Sequence, residues 1–140
     1  MKTIKILNDL WKVNDNRTED SVRAGEKTDD PELKTVFENM ATESRRNAAE
    51  LVRSGATDTT PESSMRKAWL DFKSAFTGND AHSILSSFEH GEENAKQAYN
   101  DAIASSALSS KLRQMVRNQQ IGLDASHDKV DAYKDSHDTN

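Results

Sequence analysis

Two titratable side chains fall where a helical chain would bury them. Glu92 and His127 lie on apolar stripes spaced in alternating threes and fours, at the same depth as Asn14, Ser44, Asn47 and Gln119 on other stripes. Residues so spaced share one side of an α-helix. A carboxylate and an imidazole meeting in a dry interior can ligate a metal ion, or they can join a hydrogen-bonded polar layer that satisfies every donor and acceptor. Other chemistries lack their parts. The chain has no Cys, which removes thiolate ligands, cysteine nucleophiles and disulfides and agrees with a reducing cytoplasm. There is no nucleophile–base arrangement and no Gly-rich phosphate loop. A net charge of −5 gives no field to hold a phosphate backbone, so nucleic acid is not an expected partner. No catalytic residue is expected.

The elements that position these residues follow from composition. The 140 residues are the size of one domain, 1–140, with 34% hydrophobic and 31% charged residues. Five Gly and two Pro are too few to punctuate a sandwich or barrel, which leaves long helices. Asp30 before Pro31 reads as a helix start, as does Thr60-Pro61-Glu62. Gly55 and the Gly78-Asn79-Asp80 run read as stops and caps. Four long helices are predicted at about 3–26, 31–54, 80–104 and 108–134, a shorter one at about 62–76, and a frayed tail over 134–140. No stretch reaches the roughly 18 continuous apolar residues of a membrane span, and charge interrupts the N-terminus too early for a signal peptide. The expectation is a cytoplasmic protein with no membrane partner.

The predicted inward stripes are Ile4, Leu7, Trp11, Asn14, Thr18, Ser21 and Gly25 on the first helix, and Leu33, Phe37, Met40, Ser44, Asn47 and Leu51 on the second. The third carries Ala81, Leu85, Phe88, Glu92, Ala95, Tyr99 and Ala102, and the fourth Leu112, Val116, Gln119, Leu123, His127 and Val130. All four turn polar near mid-helix, and polar groups there cost several kcal/mol unless paired.

These features resemble the ferritin-like superfamily, and in particular a bacterial family of small four-helix-bundle proteins of unassigned function. The marks are Leu7-Asn8-Asp9-Leu10, Asp30-Pro31-Glu32-Leu33, Trp69-Leu70-Asp71-Phe72-Lys73, Gly91-Glu92-Glu93 with Ala95 and Tyr99, and Ala125-Ser126-His127-Asp128. The resemblance implies an all-α, ferritin-like four-helix bundle with a short fifth helix in a long crossover between helices 2 and 3. Met65, Trp69, Phe72 and Phe76 share the apolar face of that short helix.

Metal-binding ferritin-like proteins place a Glu on each of two helices and a Glu-x-x-His pair on each of the other two. Glu92 matches a single-Glu position, and Asp124-x-x-His127 stands in for one pair with a shorter carboxylate. The second pair falls on Ser44-x-x-Asn47, and Asn14 or Thr18 takes the remaining Glu level. Glu19 and Glu43 lie one residue from the expected faces, a helix rotation of roughly 100° away. A complete di-iron centre is therefore not expected, while Glu92, Asp124 and His127 form a candidate mononuclear iron or zinc site. Missing ligands favour a non-enzymatic bundle without a cofactor, which the resemblance links to bacterial stress physiology. The competing expectation is a metal-binding protein or oxidase using iron, zinc or manganese on a reduced ligand set. A homodimer is the expected assembly.

Overall fold

In the computed structural model, which describes residues 2–60 and 81–137, the chain forms four helices: α1 Lys2–Lys27, α2 Pro31–Arg53, α3 Ala81–Ala104 and α4 Ser110–His137. Their ends follow from local chemistry. Asp30 Oδ1 accepts from the Glu32 amide at 2.9 Å, and Pro31 fills a first position whose N–H would have no partner. α2 closes on Gly55 at φ 126°, a left-handed conformation that costs glycine nothing. That turn lets the Ala56 amide donate to the Leu51 carbonyl at 2.9 Å. Between α3 and α4, Arg113 Nη2 donates to the Ser105 carbonyl at 2.7 Å and to Leu108 at 3.1 Å. Four helices thus stand within two or three residues of their predicted spans. α4 continues past 134 because its last turns are tied down: Lys134 Nζ donates to Glu89 Oε1 at 2.6 Å, and the Tyr133 hydroxyl donates to Asp30. The predicted helix at 62–76, with Met65, Trp69, Phe72 and Phe76, lies outside the described residues.

Helices α1 and α4 each pack against both α2 and α3. Leu7, Leu10, Leu51, Tyr99, Ala102, Val116 and Leu123 form one apolar cluster. Ala24, Leu33, Phe37, Leu85, Phe88, Val130 and Tyr133 belong to a second, where the Phe37 and Phe88 rings meet edge to face at 4.9 Å. The first cluster draws on the early turns of α1 and α4 and the late turns of α2 and α3. Hence α1 and α4 point one way and α2 and α3 the other, so Arg53 and Ala81 stand at opposite ends of the bundle. Between the two clusters the core is polar. No strand is present among the described residues, and no helix there is long and apolar enough to cross a membrane.

Burial follows the predicted stripe throughout α2, where Leu33, Phe37, Met40, Ser44, Asn47 and Leu51 are all buried. In α1 the stripe is corrected. Its buried set is Leu7, Leu10, Asn14, Asn16, Arg17, Ser21, Ala24 and Gly25, whereas Ile4 is exposed and Trp11 and Thr18 are half-buried. Both readings share Leu7, Asn14, Ser21 and Gly25, and they differ in which flank of that line turns inward. Contacts with α2 and α3 choose the flank holding Leu10, Arg17 and Ala24.

Candidate functional site

Two polar layers divide the core. The first, nearer the N-terminus of α1, is built around four neutral side chains, with the half-buried Glu50 accepting at its edge. Asn14 Nδ2 donates to the Tyr99 hydroxyl at 2.7 Å and to the Leu10 carbonyl at 2.9 Å. Tyr99 in turn donates to Gln119 Oε1 at 2.7 Å. Gln119 Nε2 donates to Glu50 Oε1 at 2.8 Å and to the Asn47 carbonyl at 3.2 Å, and Asn47 Nδ2 returns to Asn14 Oδ1 at 3.3 Å. Each helix supplies a member. Burial pushes the Tyr99 phenol well above its usual pKa, against the lowering effect of the Asn14 hydrogen bond, so the hydroxyl stays protonated and able to donate.

The second layer begins one turn further along α1, about 4.5 Å away, and it is charged. Arg17, with a side chain 2% exposed, donates from Nε to Glu92 Oε1 and from Nη1 to Glu43 Oε1, each at 2.8 Å. Nη1 also donates to Ser44 Oγ at 2.8 Å. Burial, the largest single influence, opposes the guanidinium's charge, but Glu92 and Glu43 together outweigh it and hold its pKa above the usual value. Glu43 is further held by α4, where Ser126 Oγ donates to both carboxylate oxygens at 3.2 Å. A Cβ on Gly122 would lie 3.0 Å from Glu43 Oε2, so the glycine leaves room for this carboxylate against the helix. His127 reaches the layer from the side, with Nδ1 at 3.9 Å from Glu92 Oε2 and Nε2 at 3.5 Å from Asp131 Oδ2.

Hydrogen-bond satisfaction separates the layers. Asn16 Oδ1, Arg17 Nη2, Ser21 Oγ and His127 Nδ1 are buried without a partner, and all four belong to the charged layer or the next turn of α1. Beside them Asp20 packs against α3 so closely that a Cβ on Gly91 would lie 3.0 Å from its Oδ2. Its carboxyl pKa is pushed up to about 7, first by burial and then by Glu92 and Glu19, with Arg23 opposing.

Of the residues singled out in the sequence, Ser44, Glu92 and His127 meet in the charged layer, while Asn14, Asn47 and Gln119 meet in the neutral one. Asp124 joins neither: it is exposed on α4. Counting from buried Leu123, His127 lies roughly 40° around the helix and Asp124 roughly 100° on the same side, too far for a short carboxylate to return. Glu43 shows the opposite outcome, since its longer side chain reaches inward without the helix rotating. Among the described residues no three His, Asp or Glu side chains are grouped to hold a metal ion. Where ferritin-like centres bring carboxylates around metal, Glu92 and Glu43 close on Arg17. Sequence reasoning missed Arg17 by following Thr18 on the other flank of α1. The mid-helix glycines Gly91 and Gly122, which cost about 1 kcal/mol each in a helix, were an overlooked signal for the close approach of Asp20 and Glu43.

Comparison with known proteins adds a family. No curated protein is similar enough to the chain to count as a match. The model of a family described as a domain of unknown function, DUF2383, matches residues 2–105, a span that includes α1, α2 and α3 and with them Arg17, Glu43, Ser44, Glu92 and Tyr99. Gln119, Ser126 and His127, on α4, lie beyond it. With well over half of its length matched, the chain belongs to the DUF2383 family.

Proposed function

We propose that this protein is a ferritin-like four-helix bundle whose centre is closed by a fixed internal cation, and that it acts as a non-enzymatic binding or assembly module. The observation that carries this reading is Arg17, held at 2.8 Å by both Glu92 and Glu43. A guanidinium in that place supplies the positive charge that two buried carboxylates require, and it fills the space where an iron or zinc ion would draw them together. It offers no open coordination position and no redox chemistry. The parallel run of α2 and α3, with their facing ends at opposite poles of the bundle, supports the long crossover of a ferritin-like topology. A cytoplasmic homodimer in a bacterial stress response is the setting this reading carries with it.

Elemental analysis of the full chain, purified without a metal-affinity tag, tests the central claim, together with the rate of ferrous iron oxidation. The expected result is no stoichiometric iron, zinc or manganese and no oxidation above the buffer rate. Stoichiometric metal in the native protein that is lost from His127→Ala would overturn the reading in favour of a metal centre on Glu92 and His127. Light scattering tests the assembly, and a mass of hundreds of kilodaltons would exclude the small oligomer.

A further inference from the structure

On the α1–α3 flank of the charged layer lies a cavity of about 30 Å³, bordered by Asn16, Arg17, Asp20, Gly91 and Glu92. A buried water needs roughly 10–15 Å³ measured this way, so the cavity has room for an ion and a water beside it. Its lining brings carboxylate and amide oxygens together. Asn16 is 9% exposed, and its Oδ1 is buried with no donor. The Asp20 carboxylate lies against the α3 backbone at Gly91, and no residue among those described donates a hydrogen bond to it. Glu92 commits Oε1 to Arg17 at 2.8 Å, while its Oε2 stands 3.9 Å from His127 Nδ1.

Charge points the same way. Arg17 is shared by Glu43 and Glu92, and the cation that eases Asp20 is Arg23. The neighbouring Glu19 and Arg23 are paired with each other at 3.4 Å. Arg17 also borders the cavity, with Nε and Nη1 engaged by Glu92, Glu43 and Ser44 and Nη2 without a partner among the described residues, while its single charge is shared between two carboxylates.

We propose that this cavity binds a hard divalent cation, calcium or magnesium, through Asp20, Glu92 Oε2 and Asn16 Oδ1. Two carboxylates and an amide oxygen are the ligands such ions prefer, and the absence of nitrogen or sulfur from the set selects against zinc and copper. Gly91 favours the site, because a Cβ there would lie 3.0 Å from Asp20 Oδ2 and press the carboxylate back by a few tenths of an ångström. The site flanks Arg17 and leaves it in place, so it is independent of the closed centre proposed above.

The test uses the full chain, stripped with EDTA and dialysed, then melted at pH 8 in millimolar CaCl₂ or MgCl₂ against NaCl of equal ionic strength. At saturation one of the two divalent ions is expected to raise Tm by about 3 °C or more over the matched salt, with one-site stoichiometry by titration calorimetry. Asp20→Asn, which keeps the shape and removes one carboxylate, is expected to weaken binding by about tenfold or more. Gly91→Ala keeps every charge but displaces Asp20, and it is expected to weaken binding as well. A native protein that melts identically in divalent and matched monovalent salt would overturn the site. So would equal shifts in the native chain and in both variants, since binding would then lie elsewhere.

Discussion

Asn14 and Arg17 stand one turn apart on α1, both buried, and they organise two layers that solve the same problem differently. Around Asn14 the central members are neutral, with Glu50 the charged acceptor at the edge, and the donors and acceptors hand on from Asn14 to Tyr99, Gln119 and Asn47 and back to Asn14. Around Arg17 the core members are charged, and the four atoms that are buried without partners among the described residues collect there or in the adjoining turn. A closed ring of neutral hydrogen bonds fixes how the helices register and leaves little to bind. An ion-pair layer with unsatisfied edges is a place where something further can act, because buried polar atoms without partners carry an unspent interaction.

The sharpest way to break this contrast is to remove the cation. Arg17→Ala leaves Glu92 and Glu43 facing each other in the core, and urea unfolding should show a loss of about 3–5 kcal/mol. The triple variant Arg17→Met, Glu43→Leu, Glu92→Leu should recover most of that stability, since apolar side chains of similar size often replace buried ion pairs without cost. A triple variant as unstable as Arg17→Ala would show that the charges do more than offset one another.

The neutral layer should respond less. Tyr99→Phe removes one hydroxyl that both accepts from Asn14 and donates to Gln119, and chemical denaturation should register about 1–3 kcal/mol. A larger effect than that of Arg17→Ala would reverse the ranking of the layers.

Asp20 sharpens the comparison through pH. Its carboxyl titrates near 3.8 unfolded and about 7 folded, so between those values the folded chain holds a proton that the unfolded chain has released. The stability it contributes is therefore full below the unfolded pKa and is lost as pH rises through about 7. Asp20→Asn should consequently raise stability at pH 8 by about 1–2 kcal/mol, allowing for partial solvent screening. Near pH 4 it should change little. Melting curves in EDTA across this range check the sign, and an equal effect at both ends would contradict it.

The smallest effect belongs to His127. Because its Nδ1 has no hydrogen-bond partner and the ring sits at the edge of the layer, His127→Ala should cost only about 1 kcal/mol. A loss several times greater in thermal melts would mean that the imidazole satisfies Glu92 more directly than its 3.9 Å separation indicates.

Much of this was legible in the residues. The four long helices were readable because Asp30-Pro31 and Gly55 act locally, and the buried face of α2 because every third or fourth residue on it is apolar or small. The polar middle of each stripe was equally plain, but the stripes put Asn14, Asn47 and Gln119 at the depth of Ser44, Glu92 and His127, and the packed helices part them into two layers about one turn apart. What local pattern could not decide was rotation and reach. On α1 two stripes share Leu7, Asn14, Ser21 and Gly25, and no property of the helix alone prefers Arg17 over Thr18. On α2 and α4, whether a carboxylate one step off the buried face turns inward depends on side-chain length and on the gap opposite. Glu43 enters because Gly122 leaves space and Ser126 offers a proton, while the shorter Asp124 stays in solvent. The sequence by itself determined the helices, their ends and the level of the polar core, since these follow from interactions within a few residues. Only the packing of four helices decided that a guanidinium occupies the centre, because that outcome depends on which side chains from distant parts of the chain arrive within 3 Å of one another.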